Sequence, residues 1–442
     1  MQLPAGAARA IALLEAAGYE TWAVGGCVRD RLRGVEPHDY DLCTAATPAE
    51  MQTVFAGERV LETGLQHGTL TLLTADGPLE ITTFRADGAY SDGRHPDAVR
   101  FVRSIRDDLA RRDFTVGAMA WHPERGLFDP FGGRDDLAKG LLRAVGNPDT
   151  RFEEDALRIL RAARFSAQFG FAIEEKTAAA MRRQRKRLSL VARERVQDEL
   201  TRLLCGPFAG RALRTCRDVL MQPLPELAPM FDLDQQNGHH RYDVWEHTVR
   251  AVEQVPNDPL LRWAMLLHDC GKPACKTVDE NGVGHFYGHP KVSVRIAAGI
   301  SCRLRFSSEF EKKLLVLVAQ HDRPLGDEEK IVRRRLAQIG EERFRQLLAI
   351  KKGDIVGQGT QPQDMERLCA LERMLNGVIE AQQCISLRQL AVDGNDMRAL
   401  GLTGERIGDM LHRLLEIVLD DPTQNTAEVL RRRARAIMEE DI

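Results

Sequence analysis

No apolar run in the chain approaches the length of a membrane span, which excludes a helical integral membrane protein. The opening residues hold no charged segment followed by an apolar one, so no secretory leader is expected. Cysteine occurs nine times, an odd number, and no two form a Cys-x-x-Cys pair. That scatter argues against a disulfide framework and for a reduced, cytoplasmic setting. Internal repeats and low-complexity tracts are also missing, which leaves ordinary globular domains.

What is present is a 442-residue chain, 43% apolar and 29% charged. That length suits about two to four domains with cores that need no covalent staples. The net charge of −3 hides an uneven distribution. Residues 151–217 carry 16 Lys/Arg against 8 Asp/Glu, and within them runs Arg182-Arg-Gln-Arg-Lys-Arg187. Such a run is either a solvated helix face or a place where RNA or polyphosphate is held.

Residues 1–146 read as mixed α/β. A short amphipathic helix is expected over 4–18, a strand over 21–25, and β-rich runs at 59–63, 68–74 and 79–85. From Asn147-Pro148 onward the pattern is helical almost to the end, with Pro-containing breaks near 206–207, 223–229, 256–259 and 361–362. The expected fold class is α+β: a mixed head (1–146), then an all-helical neck (147–230), body (231–360) and tail (361–442).

The head opens with Ala23-Val-Gly-Gly-Cys-Val-Arg-Asp30, followed by Asp39-Tyr-Asp41. A glycine pair lets backbone N–H groups approach a phosphate, and two carboxylates one strand-period apart project to the same face. Asp39 and Asp41 can then share hard cations, which prefer oxygen ligands, and such a metal pair serves nucleotide transfer. A tight turn followed by a solvated acidic loop is the plainer alternative. Arg111-Arg-Asp-Phe-Thr115 adds two arginines able to reach triphosphate oxygens, with Asp113 placed to accept from a ribose hydroxyl. The turn-rich Asp129-Pro-Phe-Gly-Gly-Arg-Asp-Asp-Leu137 reads as structure, closing the head against the next helix.

In Glu154-Asp-Ala-Leu-Arg-Ile-Leu-Arg-Ala-Ala-Arg-Phe165, a helix would make Asp155 and Arg158 neighbours at i, i+3, with Arg161 and Arg164 following. That is either an ion-pair ladder or a base reader. A carboxylate accepts from an exocyclic amine and a guanidinium donates to an unprotonated ring nitrogen. One Asp/Arg pair therefore suits C and A and rejects G and U.

These residues resemble the class II tRNA nucleotidyltransferases, CCA-adding enzymes of the polymerase-β-like superfamily, over nearly the whole chain. The likeness lies in Gly25-Gly26, Arg29-Asp30, Asp39 and Asp41, in residues 111–115 and 129–133, in Glu154-Asp155 with Arg158, and near Arg193-Glu194-Arg195. The resemblance implies that Asp39 and Asp41 bind magnesium and are catalytic. It implies that Gly26, Arg29 and Arg112 contact the nucleoside triphosphate, and that Asp155 and Arg158 read its base with Arg161 and Arg164 nearby. The expected partners are ATP, CTP and the tRNA 3′ end, with no membrane. Family members usually continue the arginine motif with Ile-Asn-Ala, where this chain has Val116-Gly117-Ala118. Residues 85–96, with Gly88 and Gly93, resemble the loop that family members need for adding the terminal A. The run from Leu390 to Leu402, and the residues on to 419, look like the family's tRNA-holding tail.

Seven of the twelve histidines lie between 239 and 321. His247, His268-Asp269, His289, His321 and the later Asp354 fall in the order of the HD phosphohydrolase pattern, the extra histidines resembling binuclear sites. That resemblance implies a divalent transition metal such as nickel, manganese or cobalt, and hydrolysis of phosphate esters. The leading expectation is CCA addition with a metal-bearing HD domain. The alternatives are an A-only or CC-only enzyme, a poly(A) polymerase, and an HD phosphohydrolase whose head merely binds RNA.

Overall fold

The computed structural model describes residues 2–62, 64–65, 68–87, 99–359 and 362–440. It divides into two compact units, residues 1–228 with 302–306, and residues 229–301 with 307–442.

In the first unit, α1 (Ala5–Ala16), β1 (Thr21–Val24), α2 (Gly26–Leu32), β2 (Asp41–Thr44) and α3 (Pro48–Val54) are followed by β3 (Val60–Leu61), β4 (Thr69–Thr74) and β5 (Gly77–Thr83). Then come the paired β6 (Arg85–Asp87) and β7 (Val99–Phe101), α4 (Ile105–Ala110), β8 (Ala120–His122), β9 (Gly126–Phe128) and α5 (Gly133–Ala138). One seven-stranded sheet has the order β3-β4-β5-β2-β1-β8-β9, with β2 and β5 parallel and the other neighbours antiparallel.

Side-chain alternation explains why β1 and β2 are central. Ala23 and Leu42 face a core with Ile11 and Leu14 of α1, Leu70 and Ile81. Trp22, Val24 and Cys43 face the opposite core with Phe84, Ile105 and Leu109. Burying each large side chain there contributes about 1.5–3 kcal/mol. Both cores therefore hold the strand ends that carry the glycine turn and Asp41. The run 129–137 is structural as expected. Asp129 caps α5 by accepting from Gly133 N and Arg134 N at 2.8 Å each. A Cβ on Gly133 would lie 2.1 Å from Thr115 O, so only glycine fits that approach.

The helical region starts with α6 (Pro148–Glu154), capped by Asn147, whose side chain accepts from Asp149 N at 2.9 Å. The expectation of one helix through residues 154–165 is incorrect. Asp155 is extended (φ −140, ψ 104), and a second helix, α7, runs Leu157–Phe169. The break has a local cause: Asp155 Oδ1 accepts from Leu157 N at 2.9 Å, a side-chain turn that competes with helix continuation. α8 (Glu175–Gln184) and α9 (Arg193–Leu204) complete the part of this unit that matters for the site.

The second unit is helical. Helix Val244–Gln254 lies close against helix Glu341–Gln358 because two glycines permit it. A Cβ on Gly353 would meet Val255 at 2.8 Å, and one on Gly357 would meet His247 O at 2.8 Å. The tail has its own core of Met397, Leu414, Val418, Leu430 and Ala434.

Candidate functional site

In the first unit, a cavity of about 420 Å³ lies between the glycine turn and α7. Its lining includes seven arginines (29, 85, 111, 112, 158, 161 and 195) against two acids, Asp113 and Asp155. That excess of positive charge is what a triphosphate requires. Gly25 makes the turn possible. Its φ is +74, and a Cβ there would stand 2.7 Å from a guanidinium nitrogen of Arg112.

Six of these arginines are held by a carboxylate partner: Arg29 by Asp30, Arg111 and Arg112 by Asp108, Arg158 by Glu154, Arg161 by Asp113 and Arg195 by Asp155. Arg111 donates to Asp108 at 3.0 and 2.8 Å, and Arg112 donates to the same carboxylate at 3.2 Å. Asp108 is fully buried; burial alone would raise its carboxyl, but the two arginines hold it below the usual range. Arg29 pairs with Asp30 and stands 4.6 Å over the Phe169 ring, which stacks on Phe165. Arg161 donates to Asp113 Oδ2 at 2.8 and 2.6 Å, while Asp113 Oδ1 accepts from Phe114 N. Asp113 thus orients Arg161 with both oxygens engaged, rather than standing free for a ribose. Burial disfavours its ionised form, but Arg161 outweighs that and lowers its pKa.

Asp155 and Arg158 both line the cavity but do not pair with each other. Asp155 Oδ2 faces Arg195 at 3.2 Å. Arg158 donates to Arg151 O at 3.1 Å, Glu154 at 2.5 Å and Arg111 O at 2.9 Å. The simple i, i+3 ladder is therefore not formed. Arg164 is not among the cavity-lining residues; it is buried against Glu199 at 2.7 Å.

Asp41 begins β2 in register with Val24, the residue before the Gly25-Gly26 turn, and Asp39 lies two residues earlier, ahead of the strand. On the other side Asp41 is in register with Glu80 of β5. Loss of hydration, then the charges of Glu80 and Asp39, hold the Asp41 carboxyl above its usual range despite Arg112. Among the described residues the groups close enough to hold a metal ion are both in the histidine cluster, so Asp39, Asp41 and Glu80 are linked here by charge and strand register. Glu80 was not legible as a neighbour of Asp41, because its place depends on a parallel strand pairing.

The second unit gathers all six residues of the histidine pattern into two groups that share Asp269. His247 Nε2 lies 3.1 Å from His268 Nε2, 3.2 Å from Asp269 Oδ2 and 3.1 Å from Asp354 Oδ1. On the other oxygen, His289 Nε2 stands 3.2 Å from Asp269 Oδ1 and 3.2 Å from His321 Nε2. His268, His289 and His321 each donate from Nδ1 to a main-chain carbonyl, of Met265, Phe286 and Val318 respectively, at 2.7–2.9 Å. That leaves their Nε2 lone pairs facing the acids, as metal ligation demands. Burial works against a charged His268, yet Asp269 and Asp354 prevail and push its pKa to about 10. The cluster draws in positive charge, and imidazoles with carboxylates fit a transition metal.

Lys272, Gln235 and His240 complete this centre. Lys272 Nζ donates to Asp269 Oδ2 at 2.7 Å and Gln235 Oε1 at 2.8 Å, and stands 3.4 Å from His240 Nε2. Lys272 could have been found at i+3 from Asp269; Gln235 and His240 carry no such signal.

Residues 21–143 match the poly A polymerase head domain, residues 170–231 a probable RNA- and SrmB-binding site of polymerase A, and residues 237–348 the HD domain. A CCA-adding enzyme of Latilactobacillus sakei is 44% identical over 251 residues, covering 55% of this chain and 63% of that protein. One from Levilactobacillus brevis is 39% identical over 280 residues, covering 63% and 66%. The crystal structure of the Bacillus stearothermophilus CCA-adding enzyme in complex with CTP matches over 100% of both chains, with 26% identity and a TM-score of 0.71. The chain is similar to CCA-adding enzymes in sequence over about half its length and in fold over all of it. The matched part spans about half to two thirds of the length of these curated relatives. The Thermotoga maritima CCA-adding enzyme complexed with tRNA shares the fold, at 19% identity and a TM-score of 0.61 over 98% of this chain.

Proposed function

We propose that the head adds C, C and A in turn to the 3′ end of tRNA from CTP and ATP. The terminal hydroxyl oxygen attacks the α-phosphorus, and the bond to pyrophosphate breaks. The observation that carries this reading is the arginine-lined cavity that brings together the glycine turn, Asp155 and Arg158. Magnesium held by Asp39 and Asp41, with Glu80 beside them, would supply activation of the hydroxyl and charge neutralisation. Gly26, Arg29, Arg111 and Arg112 cradle the triphosphate. Asp155 and Arg158 read the base edge, and Asp113 keeps Arg161 in the wall. Gly117 leaves room in this wall, since a Cβ there would meet only Asp113 at 3.7 Å.

The loop expected over residues 85–96 to serve terminal A addition lies, from residue 88 on, outside the described residues. It is the feature that separates full CCA addition from CC-only addition. The test is to offer each nucleoside triphosphate to tRNAs ending before CCA, after C and after CC. Addition of C, C and then A supports the reading; A alone, two C residues alone, or untemplated A runs would replace it with the A-only, CC-only or poly(A) alternative. Among the described residues no helix is long and apolar enough to cross a membrane, in keeping with work in the cytoplasm on soluble tRNA.

We also propose that residues 231–360 form a metal-dependent phosphohydrolase, between the neck (147–230) and a tRNA-holding tail (361–442). Nickel, manganese or cobalt would be held by His247, His268, Asp269 and Asp354 on one side and by Asp269, His289 and His321 on the other. Its substrates would be phosphate esters, including 2′,3′-cyclic phosphates on damaged RNA ends, which must be cleared before the head can extend them. Purified chain without transition metal, inactive on such esters after supplementation with manganese, nickel or cobalt, would reduce this region to a structural module.

A further inference from the structure

Helix α7 turns one stripe of side chains toward the arginine-lined cavity. Arg158, Arg161, Phe165 and Phe169 follow one another at three- or four-residue steps, and all four line it. The two arginines have tasks in the proposed reaction. The two rings are half-buried on the cavity wall instead of lying in the core, and so forgo part of their burial energy. They stack on each other with centroids 5.4 Å apart and planes 12° from parallel, and Phe114 meets Phe165 edge-on at 5.8 Å. Two guanidiniums of α2, Arg29 and Arg33, each stand 4.6 Å from the Phe169 centroid. Arg29 donates from Nε and Nη2 to Asp30 at 2.9 and 2.8 Å, which leaves Nη1 without a protein acceptor among the described residues. Its guanidinium lies beside the glycine turn: a Cβ on Gly26 would stand 3.7 Å from Nη2.

We propose that Phe169, backed by Phe165, is a positioning residue that aims the Arg29 guanidinium at the triphosphate. The proposal rests on the reading of Arg29 as a triphosphate contact. Asp30 is the chain neighbour of Arg29 on the same short helix, so it cannot fix that side chain relative to α7. A ring supplied by α7 can, and α7 also carries Arg158, which reads the base edge. The ring face attracts the cation without taking any of its N–H donors, so they stay available to phosphate oxygens. A second carboxylate in that place would offset the charge a phosphate needs. The Arg29 side chain is only 14% exposed, and such an attraction is stronger when shielded from water. The rings do not offer a bare face to a base, because Phe165 already carries Arg164 at 4.1 Å and Phe169 carries the α2 guanidiniums.

The test uses the full chain and inorganic tripolyphosphate, which has the phosphates without a base, as a competitor of CTP and ATP incorporation. The variants are Phe169→Leu, Phe169→Tyr, Arg29→Ala and the double variant Phe169→Leu with Arg29→Ala. Phe169→Leu should weaken tripolyphosphate inhibition and raise KM for CTP and ATP by one common factor, about three- to tenfold, with choice against U and G unchanged. Phe169→Tyr keeps the ring and should restore both. In the Arg29→Ala background, Phe169→Leu should have no further effect on tripolyphosphate, since no guanidinium is left to aim. Should Phe169→Leu melt below the assay temperature, Phe169→Met keeps apolar volume without a ring and is read in the same way. Inhibition that is unchanged in Phe169→Leu, or weakened equally with and without Arg29, overturns the positioning role and makes the ring a packing residue. A raised KM for one nucleotide with tripolyphosphate inhibition intact also overturns it, because the ring then touches the base. Inhibition unchanged in Arg29→Ala removes the Arg29 reading itself, and this proposal with it.

Discussion

Asp41 shows the tension between stability and chemistry at single-residue scale. Its folded pKa is raised, so its contribution to stability is fully present below the unfolded carboxylate pKa and is lost as pH rises through the folded value. Asp41→Asn should therefore raise the Tm of chelator-treated protein at pH 7, with the gain shrinking as pH falls into the carboxylate range. The same variant, like Asp41→Ala and Asp39→Ala, should abolish nucleotide incorporation while tRNA binding persists, because that binding rests on basic surface elsewhere. Normal turnover would remove both residues from the metal site. At Asp155 and Arg158, alanine should cost about 1–3 kcal/mol of discrimination against U and G. Arg158→Ala should in addition lower Tm, since the Arg151 and Arg111 carbonyls lose their donor. Loss of rate with selectivity intact would mean that another residue reads the base.

The arginine motif depends on neighbouring elements. α4 supplies Asp108, whose single buried carboxylate orients both Arg111 and Arg112. Asp108→Asn is expected to raise KM for CTP and ATP about tenfold, equivalent to about 1.4 kcal/mol, and to lower Tm by unpairing buried charge. An unchanged KM would show that the arginines hold their places without it. Gly25, between β1 and α2, is a second such point. Gly25→Ala would combine backbone strain of about 1–3 kcal/mol with displacement of the Arg112 guanidinium. Incorporation should fall more than tRNA binding, measured by single-turnover assay beside a binding titration. The α6–α7 break belongs to this scale as well. It places Asp155 at a helix junction, where its carboxylate faces the cavity instead of lying along a helix side.

Across the molecule, the two proposed chemistries draw on separate residues: the arginine-lined cavity lies in one compact unit and the histidine centre in the other. His268→Ala or Asp269→Ala should end metal-dependent phosphoester hydrolysis and lower bound transition metal, while CCA addition in magnesium continues. Parallel assays of one preparation check this. Joint loss of both activities would show that the histidine centre supports the head rather than working on its own.

The order of motifs was legible in the sequence because it depends on local chemistry. A glycine pair, alternating acids and an ordered His/Asp series keep their meaning whatever surrounds them, and the strands near 21–25, 68–74 and 79–85 show in their β-rich composition. Pairings between distant segments were not legible. The parallel β2–β5 register brings Glu80 beside Asp41. Lys272 meets Gln235 across 37 residues of chain. Residues 154–165 show the same division within one stretch. The i, i+3 reading of Asp155 and Arg158 assumed one helix there, but a side-chain hydrogen bond from Leu157 N to Asp155 accompanies a break between two. Sequence determined which chemical groups the chain carries and in what order. Which groups face one another was decided by tertiary packing, because hydrogen bonds and charge pairs depend on distance in space rather than along the chain.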